Sequence, residues 1–249
     1  MLQVDRDHFL SLSLNFTPLR SLTRLISENP VFFGCFAFFL LGGGILLLNI
    51  ETGDAIRYFS DHRATWSDLF FTYGTRLGEE YTYLLVFAIG LFVRFRYSFL
   101  ILLTGFVVTG VSYGTKAFFA HDRPITYFRK LQSLGEINLI EGIELHSGAT
   151  SFPSGHTMSA FALFGLLAML VPRKRWVGLW FFVLALIVGL SRIYLVQHFL
   201  KDVYLGAIIG IVLAMLLVLA NRRWGLREER WYNSSIPMAM RRNSPQLPT

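Results

Sequence analysis

His156, His198, Lys116, Arg123 and Arg192 stand at the ends of long apolar runs. Ionisable side chains are costly at membrane depth, so their clustering there calls for a functional reason. They fall in three short segments: KAFFAHDRP at 116–124, PSGH at 153–156 and SRIYLVQHFLKD at 191–202. Such cations suit a phosphate group, arginine as a planar fork and lysine as a point charge. Histidine can move a proton near neutral pH or, as the free base, attack phosphorus.

Each segment also has a purely structural explanation. In PSGH, Ser154 and Gly155 precede an apolar helix, so backbone N–H groups there can point at an anion, with Pro153 setting the entry of the chain. His156 would be placed to give a proton to a leaving oxygen. The alternative is an ordinary serine-capped helix with an interfacial histidine. Lys116 and Arg123 are seven residues apart, about two helical turns, and share a face if the helix persists. Pro124 should end or redirect that segment. The alternative is a pair of cations snorkelling at a membrane boundary. His198 and Asp202 stand at i and i+4, where a carboxylate can hold one ring nitrogen and present the other as a nucleophile. A structural His–Asp pair is the rival. Arg192 precedes His198 by six residues and would not share its face on an unbroken helix, so a turn is expected between them.

The elements that position these residues follow from hydropathy. The chain has 249 residues, 53% of them hydrophobic, with 24 Phe. Its mean hydropathy is +0.49, beyond what a soluble domain of this size needs. A spanning helix takes roughly 20 apolar residues. Six candidate spans are drawn at 31–50, 81–95, 98–119, 157–171, 176–196 and 203–220. The second is short and is expected to recruit 77–80, and the fourth to begin near Ser154. The expected fold is all-α, an integral membrane bundle of about six helices over 31–220, flanked by an interfacial segment at 1–30 and an arginine-rich, mobile tail at 221–249. The first span begins too far into the chain, and lacks the small-residue pattern, for a cleaved leader.

Stretches 9–26 and 55–73 mix apolar and charged residues and are expected to lie along the interface as helices. The sole cysteine, Cys35, excludes a disulfide framework and a cysteine-based metal site. The net charge of +7 sits largely in short basic clusters at span ends, which fits membrane orientation better than nucleic acid. The hairpins Arg94–Arg96 and Arg173–Arg175 and the tail arginines place both termini in the cytoplasm. In a six-span bundle Lys116, His156, Arg192, His198 and Asp202 then share the extracytoplasmic end.

Together the three segments resemble the signature of the type 2 phosphatidic acid phosphatase superfamily. That signature is Lys, six residues, Arg-Pro; Pro-Ser-Gly-His; and Ser-Arg, five residues, His, three residues, Asp. Every position is present between Lys116 and Asp202. The resemblance implies a metal-independent hydrolase without a cofactor, acting on a phosphorylated membrane lipid. It makes His198 the nucleophile that forms a phosphohistidine, Asp202 its orienting partner, and His156 the acid that protonates the leaving oxygen. Lys116, Arg123, Arg192, Ser154 and the N–H near Gly155 would hold the phosphate. Ser191, Pro124 and Pro153 complete the signature with less obvious roles, and His121, Asp122 and His146 lie outside it. Undecaprenyl pyrophosphate, phosphatidylglycerophosphate, phosphatidic acid and a phosphorylated lipid A all suit this class. A phosphotransferase of the same superfamily, or a lipid transporter using the cationic pocket for recognition alone, are the alternatives.

Overall fold

The computed structural model describes residues 18–171, 175–223 and 229–243. All regular elements among them are helical: α1 Pro18–Glu28, α2 Pro30–Asn49, α3 Asp54–Asp61, α4 Thr65–Gly74, a 3-10 turn Thr75–Gly78, α5 Glu80–Val93 and α6 Phe95–Phe119. There follow α7 Pro124–Lys130, a 3-10 turn Leu134–Glu136, α8 Gly155–Leu170, α9 Arg175–Tyr194, α10 Leu200–Arg223 and α11 Ile236–Asn243. The apolar runs thus become α2, α5, α6, α8, α9 and α10.

Of the apolar helices, α2, α6, α9 and α10 are long and apolar enough to cross a membrane, while α5 and α8 are shorter apolar helices. The chain is a multi-pass membrane protein. Apolarity on α2 is turned outward: only Phe32, Phe36 and Gly43 are buried, and Phe38 and Leu48 are 78% and 87% exposed. A surface of that kind needs lipid around it. The expected extension of α5 back through 77–80 reaches only Glu80, because Leu77 belongs to the 3-10 turn and Glu79 is extended.

The centre of the bundle is α8, with eleven of its sixteen residues buried. It is flanked by α9, α10 and α6. Between helices in lipid there is little hydrophobic driving force, so close packing over small residues takes its place. On α10 this falls to Gly206, Ala207, Gly210 and Ala214, all buried against neighbours. A Cβ at Gly206 would lie 2.6 Å from the Ser154 carbonyl oxygen, and one at Gly210 would lie 3.0 Å from the Ala162 nitrogen. Aromatic rings of α2, α8 and α9 join Ala207 and Ile211 of α10 in one core, with Phe32 and Phe161 each set edge-on to Phe182. Gly206→Ala is therefore expected to push α10 off the PSGH turn. It should cost about 1–3 kcal/mol of stability and lower activity together, read as a fall in Tm and in turnover.

Two expectations change. Residues 55–73 are not one interfacial helix but α3 and α4, broken at 62–64, and α4 packs on the C-terminal end of α9. Arg63 donates to the Tyr194 carbonyl at 2.8 Å, and the Tyr194 hydroxyl donates to Asp68 at 2.6 Å. This polar clasp holds the end of the helix that carries Arg192. Residues 229–243 of the tail also differ from the mobile segment expected, while 224–228 and 244–249 lie outside the described residues. Tyr232 is fully buried and donates to Asn221 at 2.9 Å, and the Tyr232 and Ser234 carbonyls accept from the backbones of Arg96 and Phe95. Residues 9–17 of the proposed N-terminal helix, and Arg173, Lys174 and Arg227 of the basic clusters, lie outside the described residues; the rest of that segment forms α1.

Candidate active site

The three sequence segments meet where the C-terminal ends of α6 and α9 face the N-terminal ends of α8 and α10. Lys116 is in the last turn of α6. The helix does not continue to Arg123, as a shared face would require. Ala120 adopts a left-handed conformation (φ 44°) that closes α6, and the chain returns through an extended Arg123 to Pro124, the first residue of α7. The expected obstacle at Pro124 is thus preceded by an earlier break. Arg123 is nevertheless buried at the site, with its backbone N–H on the Gly148 carbonyl. Its guanidinium donates to Thr150 Oγ1 and to the Gln197 carbonyl, both at 3.3 Å.

PSGH forms the N-terminus of α8. Ser154 is its N-cap, accepting from the Thr157 N–H and hydroxyl at 3.4 and 2.9 Å, while its own N–H donates to the Asp202 carbonyl at 2.9 Å. That last bond ties PSGH to the start of α10. Pro153 is buried, in a cis peptide bond with Phe152. Gly155 allows the close approach of α6: a Cβ there would lie 2.8 Å from Ser112 Oγ and 3.4 Å from the Lys116 ammonium. The lysine charge therefore hangs over the first N–H groups of α8, where the helix dipole already favours an anion.

The turn expected between Arg192 and His198 is present. α9 stops at Tyr194, Val196 takes a positive φ of 58°, and both Gln197 and His198 donate their N–H groups to the Arg192 carbonyl. This folds His198 back onto the level of Arg192. His198 lies just before α10 rather than on it, so the expected shared helix gives way to a helix-start arrangement. Its Nδ1 faces Asp202 Oδ2 at 3.4 Å, both side chains essentially inaccessible to solvent. The same carboxylate oxygen accepts from the Phe199 N–H at 3.0 Å and from the Ser151 hydroxyl. Burial pushes the His198 imidazole below its ordinary range, outweighing the raising pull of Asp202. In the neutral tautomer whose Nδ1 proton faces the carboxylate, the lone pair lies on Nε2.

Arg192 is buried and donates from Nη1 to Thr75 Oγ1 at 2.8 Å. Lys116, Arg123 and Arg192 all act electrostatically on the imidazole of His156, and Arg123 and Arg192 act on that of His198 as well. Ser191 instead donates to the Val188 carbonyl at 2.6 Å, inside its own helix, so its hydroxyl serves α9. Pro124 starts α7 and is buried.

Several neighbours carry no sequence signal. Ser151, Thr75 and Glu79 lie outside the motifs, and Glu79 Oε1 comes within 3.9 Å of His156 Nε2. Gly78 makes this approach possible, since a Cβ there would lie 2.9 Å from the His156 carbonyl. His146, which lies outside the signature, feels the same cations: desolvation first, then Arg123, pushes it below its ordinary value. A cavity of about 570 Å³ runs from Lys116, Gly155 and His156 along the apolar side chains Leu84, Leu102 and Phe106 of α5 and α6. Among the described residues no three His, Cys, Asp or Glu side chains converge on a metal position.

The profile of the PAP2 superfamily matches residues 94–225, more than half of the chain and all three motifs. Phosphatidylglycerophosphatase B of Bacillus subtilis (strain 168) is 36% identical over 81 residues, 29% of this chain and 40% of that protein. Lipid A 1-phosphatase of Rhizobium johnstonii is 35% identical over 81 residues, 32% of each chain. The chain thus spans two fifths or less of the curated relatives it matches. Among solved structures, Aquifex aeolicus LpxE superposes with a TM-score of 0.58 at 27% identity, covering 68% of this chain and 96% of that one. The first transmembrane PAP2 type phosphatidylglycerolphosphate phosphatase from Bacillus subtilis gives 0.54 at 23% identity, covering 81% and 98%, a likeness of fold.

Proposed function

The chain belongs to the PAP2 superfamily, and on that premise we propose that it is a membrane lipid phosphatase working through a phosphohistidine. The observation that carries this reading is the buried His198, its Nδ1 turned to Asp202 and its backbone folded onto Arg192. Nε2 attacks phosphorus, the bond to the lipid oxygen breaks, and His156 gives that oxygen a proton. Lys116, Arg123 and Arg192, with Ser154 and the N–H groups at Gly155, hold the three remaining oxygens as charge develops. Water then enters where the lipid left, gives its proton to His156 and attacks phosphorus, releasing phosphate and free His198. Ser151 and Asp202 position the nucleophile, and Thr75 positions Arg192.

The substrate is a lipid with a terminal phosphate or pyrophosphate. The apolar length of the cavity beside His156 suits its tail, and its end at Lys116 and the start of α8, with Glu79 and Glu80 on the facing wall, suits its headgroup. Phosphatidylglycerophosphate and a lipid A 1-phosphate, the substrates in the names of the curated relatives, are the first to test. α5 and α8 complete six crossings of the bilayer, with residues 31–220 as the catalytic unit. Residues 1–30 and 221–249 flank it in the cytoplasm, and the site opens to the extracytoplasmic side of a bacterial inner membrane. Lys116, Arg123 and Arg192, gathered about the two histidines, repel a divalent ion there, so catalysis needs no metal.

The test is release of inorganic phosphate by the purified chain from a panel of those lipids, with and without EDTA. Equal release with and without chelator, with one lipid preferred by at least about tenfold, is expected. Loss of activity in EDTA, restored by added metal, would overturn the metal-free mechanism.

A further inference from the structure

A second cationic cavity lies at the other end of the bundle. It encloses about 470 Å³ between α1, the start of α6 and the ends of α8 and α10. Arg24, Arg96, Arg222 and Arg223 line it, against the one carboxylate of Glu28. Glu28 already has its partners: Arg24 Nε and Arg222 Nη2 donate to its two oxygens at 2.9 and 2.6 Å. Burial raises the Glu28 carboxyl, but its bonds to Arg222 and Arg24 outweigh this and hold it below its ordinary value, so the group stays ionised. Two guanidiniums remain beyond that pairing. Arg96 Nε is buried with no hydrogen-bond partner among the described residues, while Arg223 is exposed at the rim.

A buried guanidinium N–H without an acceptor is costly, and an excess of positive charge around it adds to the cost. An anion entering the cavity relieves both. The deeper wall is apolar, formed by Met169, Leu170, Val218 and Leu219. Beside it the tail sets Trp231, 54% exposed, against Tyr232, and Tyr232 edge-on to the outward-facing Phe99. Half-exposed aromatic rings at helix ends mark the headgroup level of a bilayer.

From the unsatisfied Nε of Arg96, the four-arginine lining and the adjoining apolar wall, we infer that this cavity binds the headgroup phosphate of an anionic phospholipid from the leaflet opposite the active site. Basic pockets between membrane helices hold anionic headgroups in this way. The bound lipid joins α1, α6 and α10 and so stabilises the bundle, whatever reaction the other end performs.

Thermal unfolding of the full chain in neutral detergent tests this, with phosphatidylglycerol, phosphatidylcholine of the same acyl chains, or inorganic phosphate added. Phosphatidylglycerol should raise Tm by roughly 5 °C or more at saturating excess, and the other two by much less. Arg96→Gln combined with Arg223→Gln should abolish the shift, and Arg223→Gln alone, at an exposed position, should weaken binding about fivefold. Lys116→Gln, which disables the phosphate end, should leave the shift intact. An equal shift from phosphatidylcholine would overturn the inference. So would an equal shift from inorganic phosphate, which would mean a soluble-anion site. A shift that survives the double variant but vanishes in Lys116→Gln would place the lipid in the active site instead.

Discussion

His198→Ala is expected to lower phosphate release by roughly 10⁴–10⁶-fold, the range seen when a nucleophile acting as part of a unit is removed. No other described side chain is presented in the same way. His156 is partly exposed and lies opposite Glu79 at 3.9 Å, whereas His198 is buried with its far nitrogen held by Asp202. The cations remain in the variant, so lipid binding should persist while turnover fails. Quenching the parent enzyme in alkali with labelled substrate should trap a phosphoramidate on His198. Activity within about tenfold of the parent would refute the assignment of the nucleophile. A trapped adduct on His156 would reverse the two roles.

Asp202→Asn is expected to be nearly as damaging, about 10³–10⁴-fold in turnover, the scale on which a wrong histidine tautomer costs a triad enzyme. Asp202 is a hub: one oxygen faces His198 Nδ1 and accepts from the Phe199 N–H and the Ser151 hydroxyl. A carboxylate can only accept, so it demands N–H at Nδ1 and leaves the lone pair on Nε2. An amide can turn its NH₂ to Nδ1, which moves the ring proton to Nε2 and removes the nucleophile. Size and fold are conserved, so KM should change by less than about threefold while kcat collapses. A turnover within about fivefold of the parent would mean that the turn around Val196 suffices to orient the ring.

Much of this was legible without coordinates. Four of the six apolar runs had the length that a bilayer demands, and all six became helices within a few residues of the expected ends. That follows from local physics: in an apolar solvent a backbone must satisfy its own hydrogen bonds, so hydropathy and length determine the element. The parity of those runs also placed the ends bearing Lys116, His156, Arg192 and His198 together. PSGH stands at the start of an apolar helix as expected, with Ser154 as the N-cap of α8, because a serine N-cap acts within its own turn.

What the sequence alone determined about this protein is the chemistry on offer and the elements that carry it: three cations, two histidines and a carboxylate at the ends of apolar helices. Tertiary structure decided how they converge. The left-handed Ala120 ends α6 early, so Arg123 arrives by a loop held on Gly148 and Thr150 rather than along a helical face. The turn at Val196 folds His198 onto Arg192. Ser151, Thr75 and Glu79 reach Asp202, Arg192 and His156 from segments that share no motif with them. Such contacts join residues distant along the chain, with Thr75 and Arg192 separated by 117 positions. No periodicity or spacing encodes them, because they exist only once glycines such as Gly78, Gly155 and Gly206 have let the helices approach closely enough to make them.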